Sequence, residues 1–355
     1  MSKTPAISVV IPAYNAADDY RACLQALQRQ RRRDFEIIWV DSASRDGSAD
    51  LVAREFPWVR LFRESVNHGY RGGARFGAER AVGRYLIILN QDIDCEPHFL
   101  AELVAPLERD AAIGMTAPLI LLYEQRDRVN EAGNAFHFSG LYGSRGYGDP
   151  AEKYSGISEI GIASGCCFCV RTEQWRAFGG FSEDLELIKT GWHAGNEDQD
   201  LCWRLRLAGH RIVLVASARL YHKFVKKPWT GARLNACYCC YWLTLIRQYR
   251  VRSLLALLPF AMFTMTLLWL KAIGSGWTTI RMFLRTQVAL AVNFRELLRM
   301  RRRVQAVRVV PDRAIVRVME DSLSVSTNPL AQRFYDLLAS GYYRLFRASL
   351  VLLRA

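Results

Sequence analysis

Short apolar runs alternate with amphipathic stretches through the first half of this chain. Residues 7–11, 35–40, 59–62, 86–89 and 113–122 are mostly aliphatic or aromatic, and each is bounded by turn residues, which predicts buried strands. Between them, Tyr20, Cys23, Leu24 and Leu27 share one face of a helix expected over residues 18–30, and Ser48 or Asp46 is placed to cap a second that ends at Phe56. Strand alternating with helix at this rhythm predicts right-handed crossovers and an α/β fold with a mainly parallel central sheet.

The chemistry collects where the expected strands end, and in open α/β sheets ligands sit beyond those carboxyl ends. Residues 85–97, YLIILNQDIDCEP, form an apolar run that breaks into Asp92 and Asp94. Two carboxylates at this spacing suit a hard divalent cation, which takes oxygen ligands and keeps waters or phosphates for the rest. They equally suit a polar turn after a strand. Asp41 closes the second strand, where it is placed either to accept from the imide N–H of a pyrimidine or to close an Asx turn. Gly69, Gly72, Gly73 and Gly77 surround a helix start at which backbone can approach a ligand.

Beyond residue 122 the pattern loosens. The Gly- and Tyr-rich stretch 139–150 reads as a surface loop or an acceptor-side flap. A strand containing Ser164 and Gly165 is expected next, then a helix that opens on Glu197, Asp198 and Asp200 and stops at Gly209, then a strand at 212–215, and then His222. The positive end of a helix attracts acidic side chains. Three carboxylates in four residues exceed what a cap requires, which makes one of them a candidate general base.

Charge is placed unevenly. Residues 1–246 carry 30 Lys and Arg against 29 Asp and Glu, whereas residues 247–317 carry 14 against 2, so almost all of the net +14 lies in one segment. The same segment contains the uncharged stretch 254–270, at the short limit for a bilayer crossing. The periodic stretch 277–298 follows, interrupted by Arg281, Arg285 and Arg295, and a further amphipathic helix is expected over residues 334–353. This arrangement predicts an in-plane or shallow re-entrant helical hairpin with arginines on anionic headgroups, or a soluble helical subdomain. Nucleic acid is not the expected partner, because the basic residues flank apolar helices and do not form a reading surface. The first residues show no charged and apolar leader, so a cytosolic setting is expected. The nine cysteines, clustered at 166, 167, 169 and at 237, 239, 240, lack paired zinc spacing and read as small buried thiols.

Taken together, VVIPAYN, VDSASRDGS, NHGYRGG, LNQDID, SGCCFCVR with FGGF, and NEDQDLCWRLRLAGHRI resemble, in this order, the motifs of glycosyltransferase family 2, over roughly residues 6–225. The resemblance is to inverting enzymes of GT-A fold and to their bacterial rhamnosyltransferase-like branch. It implies a catalytic domain over residues 1–235 and a helical, membrane-associating region over 236–355. It implies transfer of a sugar from a nucleotide-diphosphate donor to a hydroxyl of a lipid-linked glycan, in surface polysaccharide synthesis at the cytoplasmic face of the plasma membrane, with Mn2+ or Mg2+. By position, Asp198 with Glu197 would be catalytic. Pro12, Tyr14, Asn15, Asp41, Ser44, Asn67, Gly69, Arg71 and Asn90 would bind the donor, and Asp92, Asp94 and His222 the metal. Arg75 stands where relatives commonly have Asn, and Asn90 where other branches carry an acid. A sugar nucleotidyltransferase and a non-catalytic nucleotide-sugar-binding protein of the same fold are the alternatives.

Overall fold

The computed structural model describes residues 4–183, 196–225, 230–323 and 329–353. Contacts divide the chain into two compact units that interleave in sequence. One holds Met1–Asn134, Ser144–Phe181 and His210–Val225, the other Ala135–Gly143, Ser182–Gly209 and Lys226–Ala355. The expected division at residue 235 follows the chain linearly; by packing, residues 196–209 group with the C-terminal helices.

In order, the first unit is built from β1 (Ile7–Ala13), α1 (Tyr20–Gln28), β2 (Phe35–Ser42), α2 (Ser48–Glu55), β3 (Arg60–Glu64), α3 (Gly69–Glu79), β4 (Tyr85–Leu89), β5 (Ile93–Cys95), α4 (Phe99–Arg109), β6 (Ile113–Leu122) and β7 (Val129–Glu131). A small hairpin of β8 (Asn134–Phe136) and β9 (Tyr142–Ser144) follows, then β10 (Ile157–Glu159), β11 (Cys167–Arg171) and α5 (Thr172–Ala177). After α6 (Glu197–Leu207), β12 (Arg211–His222) returns the chain to the sheet.

The main sheet has the order β10-β12-β6-β11-β4-β1-β2-β3, with β5 joined to β12 and β7 to β6. Strands β4, β1, β2 and β3 are parallel, whereas β11 runs antiparallel between β4 and β6. Their side chains are apolar on both faces because α1 and α4 cover one face and α3 the other; Val9, Ile11, Trp39, Ile87 and Leu89 are all fully buried. Helix α3 lies close on β1 and β2 because it is glycine-rich. A Cβ on Gly77 would stand 2.3 Å from Val10 Cγ1, and one on Gly73 would stand 3.0 Å from Pro12 Cβ. These two glycines therefore serve helix-to-sheet packing.

Three elements differ from expectation for identifiable reasons. Helix α2 is preceded by Gly47 at φ 78°, while the Asp46 carboxylate accepts from the Ser48 amide, so the carboxylate sits just ahead of the cap. Ser164 and Gly165 precede β11 and do not join it, because the Ser164 hydroxyl bonds the Cys166 amide and Glu131 and diverts the backbone from the ladder. The strand expected at 212–215 continues to His222 through a register shift after Val215, which brings its last residues opposite Leu119–Leu122 of β6 and against β5.

The second unit contains α6 together with α7 (Gly231–Gln248), α8 (Val251–Gly274), α9 (Trp277–Val292), α10 (Phe294–Ala306), α11 (Asp312–Val316) and α12 (Pro329–Leu352). The periodic stretch 277–298 is two helices, since the Asn293 side chain bonds the Ala289 carbonyl and ends the first. Helix α8 is long and apolar enough to cross a membrane, and only a third of its most apolar window is buried. Within this unit Asp200 is wholly buried between Arg204 and Arg247, at 2.8 and 2.9 Å. Trp203 packs edge-on against Phe136 and Tyr249.

Candidate active site

The first unit gathers its polar groups at the carboxyl ends of β1, β2 and β4. Side chains stitch these ends together. The Tyr14 amide donates to Gln91 Oε1 at 2.8 Å, and Gln91 returns a bond to the Tyr14 carbonyl. The Asn15 amide donates to Ser44 Oγ at 2.9 Å, and Asn15 Oδ1 accepts from the Arg45 amide. Asn15 and Ala43 both hold positive φ, 49° and 57°, so two tight turns lie side by side. Tyr14 is half exposed beside them.

Asp41, at the end of β2, is 4% exposed. Its Oδ2 accepts from the Ser44 amide at 3.2 Å, which is the Asx turn. Its Oδ1 is buried with no hydrogen-bond partner. A buried carboxylate oxygen left unmatched costs on the order of 1–3 kcal/mol or more, so the position suits a donor brought by a ligand. Of the remaining donor-side candidates, Asn67 closes a turn just ahead of α3 by accepting from the Gly69 amide at 2.8 Å, and Gly69 holds φ 65°. Pro12 lies under α3. The Asn90 amide donates to the Cys166 carbonyl. Arg71 sits on the first turn of α3, its guanidinium largely buried.

The two aspartates of LNQDID have separate surroundings. Asp94 Oδ1 accepts from Arg29 at 2.9 Å and Oδ2 from Arg126 at 2.8 Å, so both oxygens are engaged. Asp92 is different: Oδ1 is buried without a partner, and Oδ2 lies 3.4 Å from His222 Nε2. Thus Asp92 and His222, 130 residues apart in sequence, are brought together. Residues at β5 and at the end of β12 are held in register, with His222 opposite Ile93 and the Lys223 amide on the Asp92 carbonyl at 3.0 Å.

Sequence reasoning missed what stands behind this pair. His222 Nδ1 is 2.8 Å from Asn130 Oδ1. That oxygen only accepts, so Nδ1 carries a proton and Nε2 is the nitrogen turned to Asp92. Asn130 is 1% exposed, on β7. Burial disfavours an imidazolium at His222, yet Cys166 and the Asp92 carboxylate together raise its pKa above the ordinary histidine value. Next to Asn130, Glu131 bonds the Ser144 and Ser164 hydroxyls, and burial raises its pKa against the pull of those hydroxyls. No motif marks Asn130 or Glu131, because their partners lie far along the chain and the pairing exists only in the sheet.

Asp92 and His222 fit a hard divalent ion as two ligands of an incomplete set. Among the described residues no three His, Cys, Asp or Glu side chains form a full ligand cluster. Mg2+ and Mn2+ sites built around a substrate take their remaining ligands from phosphate and water. The unmatched Asp92 Oδ1 is the observation that favours such a group.

Asp198 and Glu197 belong to the second unit, in the first turn of α6. In the same turn Asp200 is committed to Arg204 and Arg247. Asp198 is 8% exposed and accepts from the Gln199 amide, and its charge adds to the burial that raises the Tyr142 pKa.

Comparison with known proteins agrees with this geometry. Residues 8–172 match the family model described as glycosyl transferase family 2. This stretch is a family 2 glycosyltransferase domain. The uncharacterised glycosyltransferase YibD of Escherichia coli is 35% identical over 100 residues, 27% of this chain and 29% of that protein. The N-acetylglucosaminyl-diphospho-decaprenol L-rhamnosyltransferase of Mycobacterium tuberculosis is 25% identical over 241 residues, 62% of this chain and 76% of that protein. The mannosyltransferase PcManGT of Pyrobaculum calidifontis, solved with GDP-Man and Mn2+, superposes with a TM-score of 0.52 at 20% identity, covering 86% of each chain. The fold is the GT-A fold. Matches to the first relatives thus span about a quarter to a third of their length.

Proposed function

We propose that the chain is an inverting glycosyltransferase that moves a sugar from a nucleotide-diphosphate donor to a hydroxyl of a lipid-linked glycan. The observation that carries this reading is the pair of buried, unmatched carboxylate oxygens, Asp41 Oδ1 and Asp92 Oδ1, at the strand ends of a family 2 domain. Asp41 accepts from the imide of a pyrimidine base, with Ser44, Asn15 and Tyr14 shaping the turns around it. Asp92 and His222 would hold Mn2+ or Mg2+, and a cation bound there would supply positive charge against the diphosphate of the donor. Asp94 supports the site through Arg29 and Arg126 and not as a ligand. Asp198 accepts the proton of the acceptor hydroxyl as its oxygen bonds to the anomeric carbon and the bond from that carbon to the diphosphate oxygen breaks. Attack opposite the leaving group inverts the centre.

The setting we infer is the cytoplasmic membrane surface. Helix α8 leaves Leu255, Leu258 and Met262 exposed, α12 leaves Phe334, Leu337 and Leu345 exposed, and Arg252, Arg302 and Arg303 stand at the surface of the same unit. The rhamnosyltransferase relative is named for a decaprenol-linked acceptor, which supports a lipid-linked acceptor here.

The test is a panel of UDP-, dTDP- and GDP-sugars assayed for Mn2+-dependent turnover. Asp92→Asn should lose at least a hundredfold in turnover and the Mn2+ dependence of donor binding. Asp198→Asn should abolish transfer and keep nucleotide affinity within about threefold. Loss of nucleotide binding in Asp198→Asn would remove that residue from the base role, and full turnover without divalent metal would overturn the metal assignment.

A further inference from the structure

Two exposed aromatic rings stand beside the Asp92–His222 pair, in the same unit of the fold. Tyr147 is 48% exposed and Phe224 37% exposed. Their rings meet nearly edge to face with centroids 5.8 Å apart, and the Phe224 ring lies 6.1 Å from the His222 imidazole. A row of Tyr147, Phe224 and His222 thus runs from the surface to Asp92, which His222 approaches at 3.4 Å. The loop carrying Tyr147 is held on the strand that orients His222. The Ala132 amide donates to the Arg145 carbonyl at 2.9 Å and the Gly148 amide to the Val129 carbonyl at 2.8 Å, on either side of Asn130 in β7. Gly146 and Gly148 flank Tyr147 at φ 78° and 81°, and a Cβ on Gly146 would overlap the Tyr154 hydroxyl. That hydroxyl donates to Asp149 Oδ2 at 2.8 Å, which closes the loop behind the ring.

A single exposed ring needs no explanation, but two rings in contact with each other and with a candidate metal ligand do. A pyranose offers one face of C–H bonds rimmed by hydroxyls. The negative face of an aromatic ring attracts those C–H bonds while the hydroxyls stay in water. We propose that Tyr147 and Phe224 form a subsite for a sugar, taking the C–H face of a pyranose ring beside Asp92 and His222. This assignment rests on the proposed donor placement, with the base at Asp41 and the diphosphate at Asp92. Four strands separate β2, which Asp41 closes, from β12, which ends at His222, so a base held at Asp41 lies away from the rings and the sugar is the part that reaches them. Donor and acceptor both bring a pyranose to this point, and the same face serves either, so the test has an arm for each. A bilayer is not the occupant, because the charged Asp149 and Lys153 share the loop and the exposed hydrocarbon of α8 and α12 belongs to the other unit.

Saturation-transfer NMR on the full chain in detergent tests this. UDP-glucose, dTDP-rhamnose and GDP-mannose with Mg2+ are the donor probes, and the methyl glycosides of glucose, rhamnose and N-acetylglucosamine are the acceptor probes. The parent chain should transfer saturation to the pyranose protons of at least one probe. Tyr147→Ala and Phe224→Ala should each weaken that sugar about fivefold or more. Tyr147→Phe, which keeps the ring, should bind as the parent does, and Trp58→Ala, which removes an exposed ring just ahead of β3, should change nothing. Base protons of the nucleotide should stay saturated in both alanine variants, which shows that the chains are folded and the nucleotide is seated. A donor-ring signal lost in Tyr147→Ala assigns the subsite to the donor sugar; a methyl-glycoside signal lost there assigns it to the acceptor. Sugar signals unchanged in both alanine variants would overturn the proposal, as would a parent chain that shows no transfer to the ring protons of any probe. Turnover on the same preparations separates the two readings. Turnover with sugar contacts unchanged by the alanine variants sinks the subsite alone, and ring-dependent sugar binding without turnover of any donor supports the subsite and sinks the transferase.

Discussion

At the scale of residues, what matters is which polar atoms have partners. Asp92 and Asp94 are indistinguishable in LNQDID, yet one has arginines on both oxygens and the other has a buried oxygen with none. Asn130 gives His222 its orientation, so Asn130→Leu should weaken Mn2+ binding about tenfold or more, read by the loss of the free-ion electron resonance signal on titration. Asn130→Asp, which keeps an acceptor toward Nδ1, should restore most of it; a Leu variant that binds Mn2+ normally would show that the hydrogen bond does not position the ring. His137 offers a pH test in the second unit. It lies wholly buried among Phe138, Phe260 and Tyr335, and burial holds its pKa down to about 4. Its Nδ1 accepts from the Ser139 amide, so the ring is neutral when folded. Between the unfolded value near 6.5 and 4, the unfolded chain binds the extra proton. Stability is therefore full above pH 6.5 and falls as pH drops toward 4, by roughly 3 kcal/mol over the window. His137→Phe should flatten that slope in pH-dependent melting curves.

At the scale of elements, α3 shows how one motif serves two purposes. Its NHGYRGG segment reads as a ligand-approach loop, and Asn67 and Gly69 do form a turn at the helix start. Gly73 and Gly77 instead let the helix lie on β1 and β2. Gly77→Ala places a methyl 2.3 Å from Val10 Cγ1 and should cost about 1–3 kcal/mol by overpacking. Gly73→Ala, with its nearest neighbour at 3.0 Å, should cost less. Denaturant titration of the two variants checks the order, and equal stability would show that α3 shifts to accommodate the methyl. The long β12 is the second instructive element. Its apolar start was legible as a strand, but the register shift that carries it on to His222 leaves no mark in a local pattern.

At the scale of the molecule, the first two thirds of the chain are near neutral and the segment that follows is strongly basic. Membranes carrying the protein should release little of it in high salt alone and most of it at alkaline pH or in detergent, because exposed hydrocarbon on α8 and α12 adds to the arginine contacts. Quantitative release by salt would mean that headgroup charge alone holds it. Fractionation followed by immunoblotting reads the result.

The sequence by itself determined the α/β rhythm, the parallel strands and the residues at their ends, since buried strands and helix faces declare themselves within a window of ten or so positions. It also determined where the charge lies. Tertiary structure alone decided that His222 meets Asp92, that Asn130 stands behind it, that Asp94 is claimed by arginines and that Asp200 is claimed by Arg247. Those choices depend on strand register and on which side chains meet across 32 to 130 residues of chain, and no short-range pattern encodes them.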